Sequence, residues 1–164
     1  MLMNEAMCTF LSKISLKDIS SKKLNHELKS IIDNGFFIKD DCALLKKFER
    51  LNRGELCSFD DEVEFECSFN SIHIDDFAKG DFFIYAIIYA YELTLKWKIN
   101  FPDRKIKLIL SLDDENYSPT VTFYTDRGKD YLNENKLNSY INPILIISGT
   151  FSYLDLVCQN KNKE

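Results

Sequence analysis

Residues 80–127, GDFFIYAIIYAYELTLKWKINFPDRKIKLILSLDDENYSPTVTFYTDR, decide the fold of this chain. The first half is apolar on nearly every side, which predicts a long buried helix from Asp81 to Ile99, ended by the proline step that follows. The second half alternates over 105–112 and is rich in strand formers over 120–125, joined by the polar loop DDENYSP. This pattern predicts a two-stranded hairpin. We expect the long helix to pack on that hairpin.

Sequence patterns on either side of this stretch predict further helices and strands. They predict a short helix over 5–14, a helix from the Ser15 capping box to Asn34, a helix over 42–52, a strand over 62–69 and a buried strand over 144–147. The fold class is therefore α+β, with N-terminal helices and a long central helix packed on a largely antiparallel β-sheet. We expect one globular domain over 1–164, mainly helical over 1–56, with the strand, long helix, hairpin and last strand over 57–158 and a frayed tail over 159–164.

Composition restricts the class of protein. A net charge of −5 over 164 residues argues against a general nucleic-acid binder. Five cysteines without a CxxC pair fit reduced thiols in the cytoplasm better than a disulfide framework. The start of the chain lacks the pattern of a signal peptide, and the apolar run FFIYAIIYAYEL is too short to span a membrane. Nothing in the sequence predicts the oligomeric state.

Catalytic chemistry has only one candidate set of residues. Cys57, Cys67, His73 and Asp75 are the right types for a nucleophile, a base and an orienting acid, or for metal ligands. The spacing matches no zinc module, and the alternation over 62–69 places Cys67 on an apolar face. We therefore expect no enzyme, no metal and no cofactor, and retain a Cys/His-dependent enzyme and a plain interaction or adaptor domain as alternatives.

Acidic side chains are concentrated in one part of the chain, because residues 57–92 carry nine of them and one basic residue. As a strand, 62–69 would place three glutamates in a row on its exposed face. A row of like charges is unfavourable alone, and either a basic partner or an ordinary solvated strand face explains it. We take two acidic patches as candidate partner-binding residues: Asp60, Asp61, Glu62, Glu64 and Glu66, with Asp113, Asp114 and Glu115 as the second.

A family resemblance covers roughly residues 85–148 and rests on two segments, YELTLKWKINFPDRKIKLILSLDDENYSPTVTFYTDR and DYLNENKLNSYINPILII. The order of a helix ending in W…FP, a strand, an acidic DD loop, a TVTFY strand and a late PILII strand resembles small bacterial immunity proteins of polymorphic-toxin and contact-dependent growth inhibition systems. The resemblance implies a cytoplasmic, non-enzymatic protein that binds and neutralises the toxin domain of a cognate effector, often a nuclease. It identifies no binding residue.

Overall fold

The structure is a computed structural model that describes residues 1–51, 53–113 and 118–158. Its strands are β1 (Leu2–Met3), β2 (Phe36–Lys39), β3 (Cys42–Leu45), β4 (Ile72–His73), β5 (Ile106–Leu112), β6 (Pro119–Thr125) and β7 (Ile144–Ser148). Its α-helices are α1 (Glu5–Leu11), α2 (Leu16–Ser20), α3 (His26–Asn34), α4 (Glu62–Phe69), α5 (Phe82–Asn100) and α6 (Tyr153–Cys158). These elements confirm the α+β class.

The main sheet has five antiparallel strands in the order β1-β7-β5-β6-β4. The predicted hairpin is β5–β6, with Ile106 opposite Thr125 and Leu112 opposite Pro119. A separate two-stranded sheet is formed by β2 and β3. The predicted strand over 144–147 is β7, which lies in the interior of the main sheet.

The predicted long helix is α5, and it packs on one face of the main sheet. Nine of its residues are buried, including Tyr89, Leu93 and Trp97. The Trp97 ring contacts Phe36 and Phe123, which joins α5 to β2 and β6 in one core. Within the described ranges, no helix is both long enough and apolar enough to cross a membrane.

Residues 62–69 form helix α4, so the predicted strand is wrong. The alternating apolar residues are also two pairs spaced by four, which lie above one another on a helix. Phe65 and Phe69 enter the main core, whereas Val63 and Cys67 cover the opposite face of the sheet with Tyr124. A helix buried between two apolar clusters satisfies the pattern as well as a strand does.

The N-terminal region is less helical than predicted. The segment 42–45 pairs with β2 as strand β3, and only a 3₁₀ turn over Lys46–Phe48 follows it. The helix predicted from Ser15 is split in two, although its capping box with Asp18 is present. The split occurs because Asn25 caps α3 and donates to the Phe77 carbonyl oxygen at 2.5 Å, which fixes a new helix start. α3 ends at Asn34, as the sequence predicts, and Gly35 follows it with a positive φ of 70°.

Candidate partner-binding site

The N-terminus of α4 presents the first predicted acidic patch around a surface pocket. Asp61 caps the helix by accepting the Glu64 N–H at 2.8 Å, and the Glu64 carboxylate accepts the Asp60 N–H at 2.8 Å. These two hydrogen bonds satisfy main-chain N–H groups at the start of the helix, where the helix dipole also favours acids. The pocket has a volume of about 210 Å³ and is lined by Asp60, Asp61, Val63, Glu64, Lys129, Asp130 and Tyr131.

Negative charge exceeds positive charge at this pocket. Lys129 pairs with the Asp61 carboxylate, and Asp130 pairs with Lys107. Asp60 and Glu62 are exposed, and their carboxylates form no ion pair within the described part of the chain. Asp60 lines the pocket and Glu62 lies on the adjacent first turn of α4, so this helix start carries uncompensated carboxylates that attract a cationic side chain.

Lys107 holds Asp130 at the pocket through an ion pair. Its ammonium group forms ion pairs with Asp130 and Glu134, the latter at 2.7 Å. Burial lowers the pKa of Lys107, but its hydrogen bonds to the two carboxylates outweigh burial, and the pKa is raised above its ordinary value. Lys107 therefore stays charged at neutral pH and fixes the segment that carries Tyr131, whose side chain is 48% exposed at the rim.

Glu66 is not part of this surface, which corrects the prediction of an exposed glutamate row. The residue is fully buried (0% exposed). Its carboxylate accepts the N–H groups of Ala43 and Thr125 at 2.7 and 2.5 Å, and pairs with both terminal nitrogens of Arg127 at 2.9 and 3.1 Å. A carboxylate held this way joins α4, β3 and β6 and contributes to stability rather than to binding.

The Arg127 guanidinium extends this network to the β2–β3 turn. It donates to the Asp41 carbonyl oxygen at 3.0 Å, and Arg104 donates to the same oxygen at 2.9 Å. Asp40 and Asp41 both have positive φ (51° and 62°), which is uncommon for residues other than glycine. The two arginines therefore stabilise a turn that the backbone alone disfavours.

The second predicted acidic patch is distant from the first. Asp113 is exposed at the Pro119 end of β6, where its N–H donates to the Ser118 carbonyl oxygen at 3.1 Å. The pocket lies beyond Thr125 at the other end of β6, about 20 Å away along the strand. The two patches do not form one continuous surface. Asp114 and Glu115 lie outside the described residues, as does the predicted frayed tail over 159–164.

The candidate Cys/His residues are not brought together. Cys67 is buried against Tyr124, whereas His73 lies opposite Thr120, about 13 Å along β6 from that point. Burial raises the pKa of the Cys67 thiol, which opposes formation of a nucleophilic thiolate. Cys57 is exposed on a separate 3₁₀ turn. Across the described ranges, no group of three or more His, Cys, Asp or Glu is placed to hold a metal ion.

The amino-acid sequence of the chain is similar to that of one protein family. The profile of the Uncharacterized protein PM0498 family matches residues 2–155. This chain belongs to that family. It is 25% identical over 140 residues to the uncharacterized protein PM0498 of Pasteurella multocida (strain Pm70), an alignment that covers 79% of this chain and 87% of the relative. No solved structure matches.

The PM0498 family match spans both the pocket and the buried network. It begins at β1 and ends inside α6, so it includes α4 and the segment from Arg127 to Tyr131. The pocket is therefore formed within the region shared with the family. Asp130 and Tyr131 have no sequence pattern that links them to α4, and only the fold reveals that they line the same pocket.

Proposed function

We propose that this protein is an immunity protein that acts in the cytoplasm by binding the toxin domain of a cognate effector and neutralising it through direct contact. The observation that carries the proposal is the acidic pocket at the start of α4. The exposed Asp60 lines this pocket together with an aromatic residue, Tyr131, and a second exposed carboxylate, Glu62, lies on the first turn of the same helix. Tyrosine is enriched at protein interfaces relative to the rest of the protein surface.

The toxin domain in this proposal is a nuclease. A nuclease cleft is lined by lysine and arginine because it binds phosphates. Carboxylates at the α4 pocket would take the place of those phosphates and form charge-assisted hydrogen bonds with the same cations. Inhibition then follows from occupation of the cleft and needs no chemistry from this chain. The arrangement of segments over residues 85–148 that resembles immunity proteins supports the same interpretation.

The first experiment is co-expression. We expect the gene for this protein to lie directly downstream of a large toxin gene, and its product to restore growth of cells that express the C-terminal region of that toxin. The two chains should also co-purify. A matched control is the same chain truncated before α5, which removes the helix that forms the core and should give no rescue. Lack of rescue and of a complex with the intact chain would contradict the proposal.

A further inference from the structure

An irregular segment covers part of the face of the main sheet that lies opposite α5. We call residues 128–142, all of which the structure describes, the strap. The strap contains a single 3₁₀ stretch, Glu134–Ser139, which is kinked at Lys136. Leu137 is its only buried residue and packs in one apolar cluster with Ile109 and Ile144. The strap therefore contributes little apolar surface to the core of the protein.

Side chains attach the strap to the rest of the protein. Across the described chain, no main-chain hydrogen bond joins residues 128–142 to the main chain of another segment. The Tyr131 N–H donates to the Tyr124 hydroxyl oxygen at 3.2 Å, and the Asn4 side-chain amide donates to the Asn142 carbonyl oxygen at 2.7 Å. Because the strap shares no main-chain hydrogen bonds with the sheet, it can detach without breaking a strand.

Lys107 is a buried charge beneath the strap. It lies opposite Tyr124 on β6 and Ser148 on β7, and its side chain is 9% exposed. Its ammonium group pairs with Asp130 and Glu134, which both belong to the strap. A buried ammonium group without its carboxylate partners is strongly unfavourable. The ion pairs of Lys107 therefore hold the strap on β5, and detachment of the strap opens Lys107 to water.

The strap also forms one wall of the acidic pocket. Lys129, Asp130 and Tyr131 line the pocket from the strap, and residues at the start of α4 line it from the other side. Lys107 and Glu134 are not among the described residues that line it. The pocket is therefore complete only while the strap is attached, and Lys107 acts on the pocket without lining it.

We infer that the strap detaches from the sheet as one unit, and that the ion pairs of Lys107 with Asp130 and Glu134 determine how often it does so. Only the attached form contains the complete acidic pocket, which makes Lys107 a positioning residue for binding of the toxin domain. This link to binding rests on the proposed function, whereas detachment is a property of the free chain. A partner that binds only the attached form reduces the population of the detached form by mass action.

Amide hydrogen exchange on the full chain tests detachment. Tyr131 and Tyr140 lie near the two ends of the strap, their N–H groups are hydrogen-bonded in the attached form, and Ile109 lies in the middle of β5. We expect the Tyr131 and Tyr140 amides to open with equal free energies that do not change in dilute urea. Relative to their intrinsic rates, both should exchange about a hundredfold faster than the Ile109 amide.

Two results of this measurement would overturn detachment as one unit. If all three amides depend on urea in the same way, the strap opens only when the whole protein unfolds. If Tyr131 and Tyr140 open with different free energies, the strap frays in separate parts. The measurement on the wild-type chain decides this point even if a variant fails to fold.

Lys107→Met tests the role of the ion pairs. The variant keeps an unbranched apolar side chain but removes the charge, which leaves Glu134 without its cation and should speed exchange at Tyr131 by about tenfold or more. Adding Glu134→Gln removes the unpaired carboxylate and should slow that exchange again by about threefold or more. Lys136→Met, at an exposed lysine of the strap, is the matched control and should change exchange by less than about threefold. Equal effects of the two lysine variants would overturn the role of Lys107.

The link to binding is tested with the C-terminal region of the toxin encoded by the adjacent upstream gene. At saturation, this toxin domain should slow exchange at Tyr131 in the wild-type chain by about tenfold or more. A complex that leaves exchange at Tyr131 unchanged overturns the positioning role of Lys107, while the proposed function stands. Absence of any complex overturns the proposed function and the positioning role together, and the free-chain measurement still decides whether the strap detaches.

Discussion

Glu62 and Glu66 lie one turn apart on α4 and have opposite environments. Glu62 is exposed on the first turn of the helix and forms no ion pair with a described residue. Glu66 is fully buried and bonded to Arg127, Thr125 and Ala43. Two glutamates on one helix therefore differ in role. Glu66 stabilises the contact between the two sheets, whereas the charge of Glu62 is open to solvent.

The largest expected effect is the loss of the buried carboxylate. Glu66→Ala leaves the Arg127 guanidinium and two main-chain N–H groups without their acceptor, and should reduce the free energy of unfolding by about 3–5 kcal/mol. Glu66→Gln keeps one oxygen acceptor and should cost less. Urea unfolding followed by circular dichroism measures both. A loss below about 1 kcal/mol for Glu66→Ala would show that the network does not stabilise the fold.

The rate of cysteine alkylation should differ strongly between the buried and the exposed thiols. Burial raises the pKa of the Cys67 thiol, and it raises the pKa of Cys42 to about 12. Because alkylation requires both access and a thiolate, Cys57 should react with iodoacetamide at pH 8 at least ~100-fold faster than either buried thiol. Peptide mass spectrometry quantifies each site. Rapid modification of Cys67 in the folded protein would return the Cys/His enzyme to consideration.

A smaller effect is expected from the amide that closes β3. Asn70→Ala removes the acceptor of the Leu45 N–H and the donor to the Ala43 carbonyl oxygen, and should cost about 2 kcal/mol. Ser68→Ala on the exposed side of α4 is the matched control and should change stability by less than about 0.5 kcal/mol. Equal stability of the two variants would mean that the β3 edge does not depend on Asn70.

The smallest effect on stability is expected at the acidic rim. Asp60→Lys with Glu62→Lys leaves the caps formed by Asp61 and Glu64 intact but places positive charge at the start of α4, and should reduce the free energy of unfolding by about 1 kcal/mol. Thermal unfolding of this double variant beside wild type tests the point. A large loss would place these two carboxylates among the groups that stabilise the fold.

The sequence correctly predicts those elements whose pattern of apolar residues fits only one type of secondary structure. The apolar length of α5, the alternation of β5 and the buried run of β7 each favour a single structure, and all three are present. The strand prediction for residues 62–69 is wrong because the spacing of the apolar residues fits two structures. It fits a strand with one apolar face, and it also fits a helix that lies between two apolar clusters. The spacing of Asp61 and Glu64 was the local signal for a helix start.

Other errors arise from contacts between distant residues. β3 depends on the Asp40–Asp41 turn, whose positive φ values are stabilised by Arg104 and Arg127. β1 has two residues and exists through its pairing with β7. Three residues of the predicted acidic patch line the pocket and are close together in sequence (Asp60, Asp61 and Glu64), whereas Asp130 and Tyr131 come from a segment that only the fold places beside α4.

Our proposal depends most on the exposed carboxylates of Asp60 and Glu62 at the start of α4, which would attract a basic toxin domain. Association kinetics test this attraction most directly. Stopped-flow mixing at several salt concentrations would compare wild type, Asp60→Lys with Glu62→Lys, and Asp75→Lys with Asp76→Lys, an exposed pair outside the pocket that changes net charge equally. The rim variant should associate about tenfold more slowly at low salt, with a difference that shrinks as salt rises, and the control pair should change the rate much less. Equal rates for the two variants, or a wild-type rate that does not depend on salt, would contradict the claim.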